Sequence, residues 1–241
     1  MTWDTSRETG MNDKTCGFVV SLSDYKDNDV MMQVLTKEYG FISLVAKGAK
    51  KVSGKNHFLP MCIYEFIIDY KDRKTIYTVH GSKLLNNYFE DRDIELMSFK
   101  NILIEATLKN KEMASYNYLS FVFEKMDKDN MYLLGTMYFS YLIKAFGITP
   151  IVDQCVVCGE KKIVAISNRL GGFLCLKHLG GEAPLEVEQL KKFRMMIKAT
   201  KDNYDIVKGF PFTMKDFDLM VCFFLDNSDM RLKSYDFFMK L

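Results

Sequence analysis

The chain has 241 residues, with 33 Lys and Arg against 31 Asp and Glu for a formal charge of +2, and 48% of its residues are hydrophobic. This composition excludes a disordered chain and a wholly basic, histone-like binder, but it leaves room for a local basic patch. The length suits one large domain or two to three small ones.

Residues 1–11 carry no periodic pattern and read as a disordered extension. They lack a basic start followed by an apolar run, so no secretory signal is expected and the chain reads as cytoplasmic. From Cys16 to about Gly81 the apolar runs are short: 17–22, 30–35, 41–45, 63–70 and 75–80. Five such runs, separated by Asp/Asn, Gly and Lys-rich turns, predict a small all-β barrel or sandwich. After Gly81 the period becomes helical. Leu96, Phe99, Ile102, Leu103 and Ala106 mark one face, and Tyr118, Phe121, Val122 and Lys125 a second. A third helix fits Met131 to Phe146, ending at Gly147 with Pro150 beyond. Its longest uncharged stretch, Met131 to Ile143, is 13 residues, short of the roughly 20 that span a bilayer, so no membrane partner is expected. Further helices are expected at about 185–201, 214–225 and 230–241. The expected fold is therefore α+β and multi-domain: a five-stranded barrel over 12–82, then a helical domain over 83–241 interrupted by a cysteine-rich segment at 153–180.

The most specific chemical signal lies in that segment. Cys155 and Cys158 are followed by Cys175 and His178, giving C-x2-C-x16-C-x2-H. A CxxC turn brings two thiolates within tetrahedral reach of one ion, and a second such turn fills the other corners. Gly159, Gly171 and Gly172 supply turn flexibility. The spacing favours one structural zinc per chain, because four protein ligands leave no open position for water. Thiol–disulfide chemistry fits less well, since no βαβ pattern flanks Cys155, and metal-free packing is the third reading. Cys16, Cys62 and Cys222 sit in apolar runs and read as small core residues.

The second signal is electrostatic. No acid occurs between Glu38 and Glu65, and Lys47, Lys50, Lys51 and Lys55 all fall in that window. A lysine-rich turn is often only a solvated loop, but on a five-stranded barrel it suits the way an OB-fold tracks a nucleic-acid backbone. Lys71, Arg73 and Lys74, between the last two strands, add charge. Tyr64, Tyr70 and Tyr77 are either base-stacking rings or ordinary barrel packing. Gly48 to Asn56 is no phosphate-binding P-loop: five residues separate its glycines, and Asn56 stands where Ser or Thr is needed. His57 and His80 lack a partner pattern for a triad or metal site, and no nuclease-like set of carboxylates occurs.

Taken in order, the opening Gly17-Phe18-Val19-Val20 to Tyr25-Lys26-Asp27-Asn28-Asp29, then Val34 to Gly40, then Ala46-Lys47-Gly48-Ala49-Lys50-Lys51, resemble the N-terminal OB-fold of the RecO family of recombination mediators. Cys155 to Gly159, Gly171 to Cys175 and Arg231 to Ser234 resemble its zinc segment and C-terminal helix. The resemblance implies a protein that is not an enzyme, that binds single- and double-stranded DNA and that anneals complementary strands. It also implies contact with the acidic C-terminal tail of single-stranded DNA-binding protein (SSB), partnership with RecR in loading RecA, and a cytoplasmic, nucleoid-associated location. The DNA contacts it implies fall at Lys47, Lys50 and Lys51. His178 departs from the pattern, since many relatives carry cysteine there. The alternative is a zinc-bearing protein–protein adaptor with little DNA affinity. Lys191, Lys192, Arg194 and Lys198 form a further basic cluster, either a contributor to binding or a solvated helix face.

Overall fold

The computed structural model describes residues 12–51, 57–71, 74–89 and 93–241. The expected extension at 1–11, and the candidate residues Lys55 and Arg73, lie outside the described residues.

The chain divides into two compact units. The first, Met1–Arg92 with Thr107–Asn117, is built on a closed barrel in the order β1-β2-β3-β5-β4. Its strands are β1 (Asp13–Tyr25), β2 (Asp29–Thr36), β3 (Gly40–Ala46), β4 (Cys62–Ile68) and β5 (Ile76–Asn87). The long β1 pairs with both β2 and β4, and β3 closes the barrel by a parallel pairing with β5 at Ser43 to Val45. This is the five-stranded arrangement of an OB-fold. Alternation along the strands puts Val19, Met32, Val34, Leu44, Tyr64, Phe66, Ile68 and Tyr77 into one core. Gly17 is required there, because a Cβ would stand 2.4 Å from Val34 Cγ1. Strand β5 runs on through Gly81, where the apolar pattern changes period, to Asn87. Register shifts at Ile63/Tyr64 and Ile67/Ile68 of its partner break the simple alternation that would have revealed it.

The second unit, Asp93–Ala106 with Tyr118–Leu241, is helical. Its main helices are α2 (Tyr116–Lys125), α3 (Met131–Ala145), α4 (Val187–Lys198) and α6 (Met214–Ser228), with most of α1 (Ile94–Lys109) and the short α5 (Tyr204–Val207) and α7 (Lys233–Phe238). Helix α3 is buried almost all round, as its unbroken apolar run demands. At Gly135 a Cβ would lie 2.4 Å from Phe99 Cζ and 2.8 Å from Phe217 Cε2, so this glycine lets two aromatic rings approach the α3 backbone. Among the described residues no helix is long and apolar enough to cross a membrane. Between α3 and α4 the cysteine-rich segment forms a two-stranded antiparallel sheet, β6 (Ile163–Ser167) and β7 (Gly172–Cys175). The sequence reading places no strands there.

Candidate metal centre and basic barrel turn

The cysteine-rich segment is folded so that its four predicted ligands converge. In the first turn, the Cys155 N–H donates to Glu160 O at 2.8 Å and the Gly159 N–H donates back to Cys155 O at 2.9 Å. Gly159 closes that turn at φ +76°. Cys175 ends β7, and the single 3-10 turn Leu176–His178 carries the imidazole round to the same point. The two turns are held together through Ile151, whose N–H donates to Gly171 O and whose carbonyl accepts from the Phe173 N–H at 2.9 Å. Gly172 makes this approach possible, since a Cβ there would stand 2.6 Å from Ile151 O.

Cys155, Cys158, Cys175 and His178 place their ligand atoms within 4.8 Å of one another. Cys158 Sγ lies 3.7 Å from Cys175 Sγ, and His178 Nδ1 lies 3.7 Å from Cys155 Sγ and 3.3 Å from Cys175 Sγ. A tetrahedral zinc with Zn–S near 2.3 Å and Zn–N near 2.05 Å has S···S edges of about 3.8 Å and S···N edges of about 3.6 Å. The three separations match those edges, so the donor set can hold a metal ion and suits zinc. All six cysteines are free, and the sulfur separation is that of co-ligands rather than of a disulfide. Burial raises the Cys155 thiol, but the backbone N–H groups of Cys175, Cys158 and Val157 outweigh it and bring the thiol down to about 6. A thiolate is the form a metal binds.

The candidate nucleic-acid residues are held differently. Lys47, Lys50 and Lys51 share the turn after β3, and all three are exposed. Gly48 turns the chain at φ +67°, its N–H donating to Asp29 Oδ1 at 2.8 Å, and the Lys50 N–H donates to Asn28 O at 3.1 Å. The lysine turn is thus tied to the β1–β2 turn. The adjoining end of β1 brings an acid: Lys50 Nζ pairs with Asp24 at 2.6 Å. Lys74 is not part of this group. Parallel pairing of Ser43 with Ile76 sets the start of β5 towards the barrel end where β2 turns into β3, and there Lys74 pairs with Asp69 at 2.6 Å.

Of the three tyrosines, Tyr64 and Tyr77 are core residues, each 5% exposed, which removes them as rings for direct base contact. Tyr70 is part-exposed and stacks between Tyr77 and Tyr39. Sequence reasoning missed Tyr39, an aromatic in a turn, where strand periodicity says nothing. The α4 cluster is largely neutralised within its own unit. Lys192 is buried against Asp216 at 3.0 Å, Arg194 and Lys198 both pair with Asp153, and Lys191 lies 3.9 Å from Glu188.

Comparison with known proteins bears on the barrel first. A family model described as "Recombination protein O N terminal" matches residues 11–88, which takes in the whole barrel. Proteins named DNA repair protein RecO from Bacillus cytotoxicus and Bacillus mycoides are each 26% identical over 178 residues, covering 70% of this chain and 71% of the relative. The Bacillus anthracis protein of that name is similar to the same extent. The matched barrel, its order β1-β2-β3-β5-β4 and these relatives point the same way: the barrel matches the RecO N-terminal family model, and 70% of the chain is similar to proteins named DNA repair protein RecO.

Proposed function

We propose that this protein acts in DNA repair and recombination as a mediator that binds single- and double-stranded DNA and anneals complementary strands. The observation that carries the reading is the coincidence of the family match with a closed barrel whose β3 turn presents Lys47, Lys50 and Lys51. Ammonium groups on an exposed turn neutralise phosphates and release condensed counterions, and they carry no base information. Binding is therefore salt-sensitive and largely indifferent to sequence. The role calls for no catalytic residue. The Cys3His cluster holds one structural zinc, which braces the segment between α3 and α4. By resemblance to the RecO family, the partners are the SSB tail, RecR and, through RecR, RecA, in the cytoplasm at the nucleoid.

The test is a strand-annealing assay, with and without SSB, across a salt series. Replacing Lys47, Lys50 and Lys51 together by Glu weakens binding and lowers the slope of log affinity against log salt by about 2, at roughly 0.7 per lost single-strand phosphate contact. A folded triple variant that anneals like the parent overturns the assignment of these lysines. Negligible DNA affinity of the parent at low salt favours the adaptor reading instead.

A further inference from the structure

Tyr39, Tyr70 and Tyr77 form a ladder of near-parallel rings. Centroids are 4.0 Å apart at 18° for Tyr39 and Tyr70, and 5.1 Å apart at 14° for Tyr70 and Tyr77. Ring pairs elsewhere in the molecule meet both ways: Phe58 and Tyr64 at 56° and Phe99 and Phe238 at 74°, but Tyr118 and Tyr141 at 20° and Phe18 and Tyr88 at 13°. Parallel stacking is one of the ordinary arrangements of aromatic side chains, and it is also how nucleobases stack on protein rings, so what distinguishes this ladder is where it ends. The ladder is also graded in burial: Tyr77 is anchored in the barrel core, while Tyr70 and Tyr39 are part-exposed. Among the described residues, Tyr70 is the only ring that Tyr39 meets.

The outermost ring is fixed in place. The Tyr39 hydroxyl donates to Asp13 Oδ2 at 3.3 Å, and its N–H donates to Thr36 Oγ1 at 3.0 Å. The Thr36 hydroxyl in turn donates to Gly40 O at 2.8 Å, with Gly40 at φ +64°. Lys37 and Lys71, adjacent in sequence to this turn and to Tyr70, are both exposed.

We propose that Tyr39, backed by Tyr70, forms a stacking site for an unpaired nucleobase of single-stranded nucleic acid, at the barrel end where β2 turns into β3, with Lys37 and Lys71 serving the flanking phosphates. The site rests on the nucleic-acid reading above and adds to it a contact that needs a base. Every base has a flat π face, so the contact is tolerant of sequence. It also distinguishes single strands from duplex, whose bases are already stacked.

The test compares a fluorescein-labelled 15-nucleotide oligothymidylate with a strand of equal length built from abasic tetrahydrofuran residues, by fluorescence anisotropy at fixed low salt. The parent protein binds the thymidine strand about tenfold more tightly, the scale of one or two lost stacking contacts. Tyr39→Leu brings thymidine binding down to the abasic level and leaves abasic binding unchanged, and Tyr39→Phe restores the preference. Equal binding of both strands by the parent, a measurement that needs no variant, overturns the stacking site alone. A preference that survives Tyr39→Leu does the same. Failure to bind either strand overturns the nucleic-acid reading and this site with it.

Discussion

At the Cys3His cluster, four ligand atoms from two turns lie within 4.8 Å of one another, whereas the lysines of the barrel turn share a loop and one of them, Lys50, is held by Asp24 at the end of β1. The difference follows from what each ligand demands. A metal ion needs its donors on the corners of one small polyhedron, so local chain geometry must converge there. A phosphate backbone needs only positive potential along a path, so its contacts tolerate dispersal and local pairing. Lys192 marks the opposite limit, a cation taken out of solvent, at 10% side-chain exposure, and committed to one carboxylate.

Breaking the convergent region should have the largest effect. Cys175→Ser removes a buried ligand, and zinc binding in small zinc domains is worth on the order of 10 kcal/mol. Elemental analysis should fall from one zinc per chain to near none, and the second unit should lose several kcal/mol while the barrel keeps its melting behaviour. A metal-free parent purified without chelator would rule out the zinc assignment. Next comes the buried pair. Asp216 also accepts from the Thr213 N–H and hydroxyl, so Lys192→Ala leaves a carboxylate buried without its counter-charge, costing about 3–5 kcal/mol in urea unfolding.

Two glycines sharpen the comparison at the level of packing. Gly172→Ala sets a Cβ against the Ile151 backbone, and Gly17→Ala sets one against Val34. Each should cost about 1–3 kcal/mol, and Gly172→Ala alone should speed metal loss to a chelator. Smaller still is Lys50→Ala, which removes an exposed pair with Asp24 and should change stability by less than about 1 kcal/mol. The smallest effect concerns Asp69. Burial raises its carboxyl, but the Lys74 ammonium and the Thr78 N–H donate to it and hold it below the ordinary 3.8. A folded-state value depressed below the unfolded one contributes stability at neutral pH and loses it as pH falls below about 4. Asp69→Asn should therefore flatten part of the acid loss of barrel stability, read as urea midpoints between pH 7 and pH 3.

What the sequence revealed tracks the range of the forces involved. Ligand spacing is local and chemically specific, so Cys155, Cys158, Cys175 and His178 could be named from the chain alone. The five barrel strands were legible from alternation, but the last half of β5 was not, because bulges in its pairing with β4 break the period. The strands β6 and β7 are only five and four residues long and lie among the cysteines, too short to carry a pattern. Charge pairing was hidden for a different reason. Asp153 and Asp216 stand far along the chain from the α4 cations they neutralise, and Asp24 reaches Lys50 only through the register that joins two turns.

The barrel's pairing register also dictates an order of events as the chain is made. Asp13 pairs with Ile68 and Ser43 with Ile76, so closure must wait for β5, and Thr107–Asn117 belongs to the same unit although Asp93–Ala106 of the other unit is made first. Long-range pairings of this kind form late, because loop entropy is lost before they contribute. The cysteine-rich segment, by contrast, draws its ligands from one short stretch and can close as soon as that stretch emerges. A fragment that stops at Arg92 omits part of the first unit, so a cut placed at the end of the barrel strands does not isolate it intact.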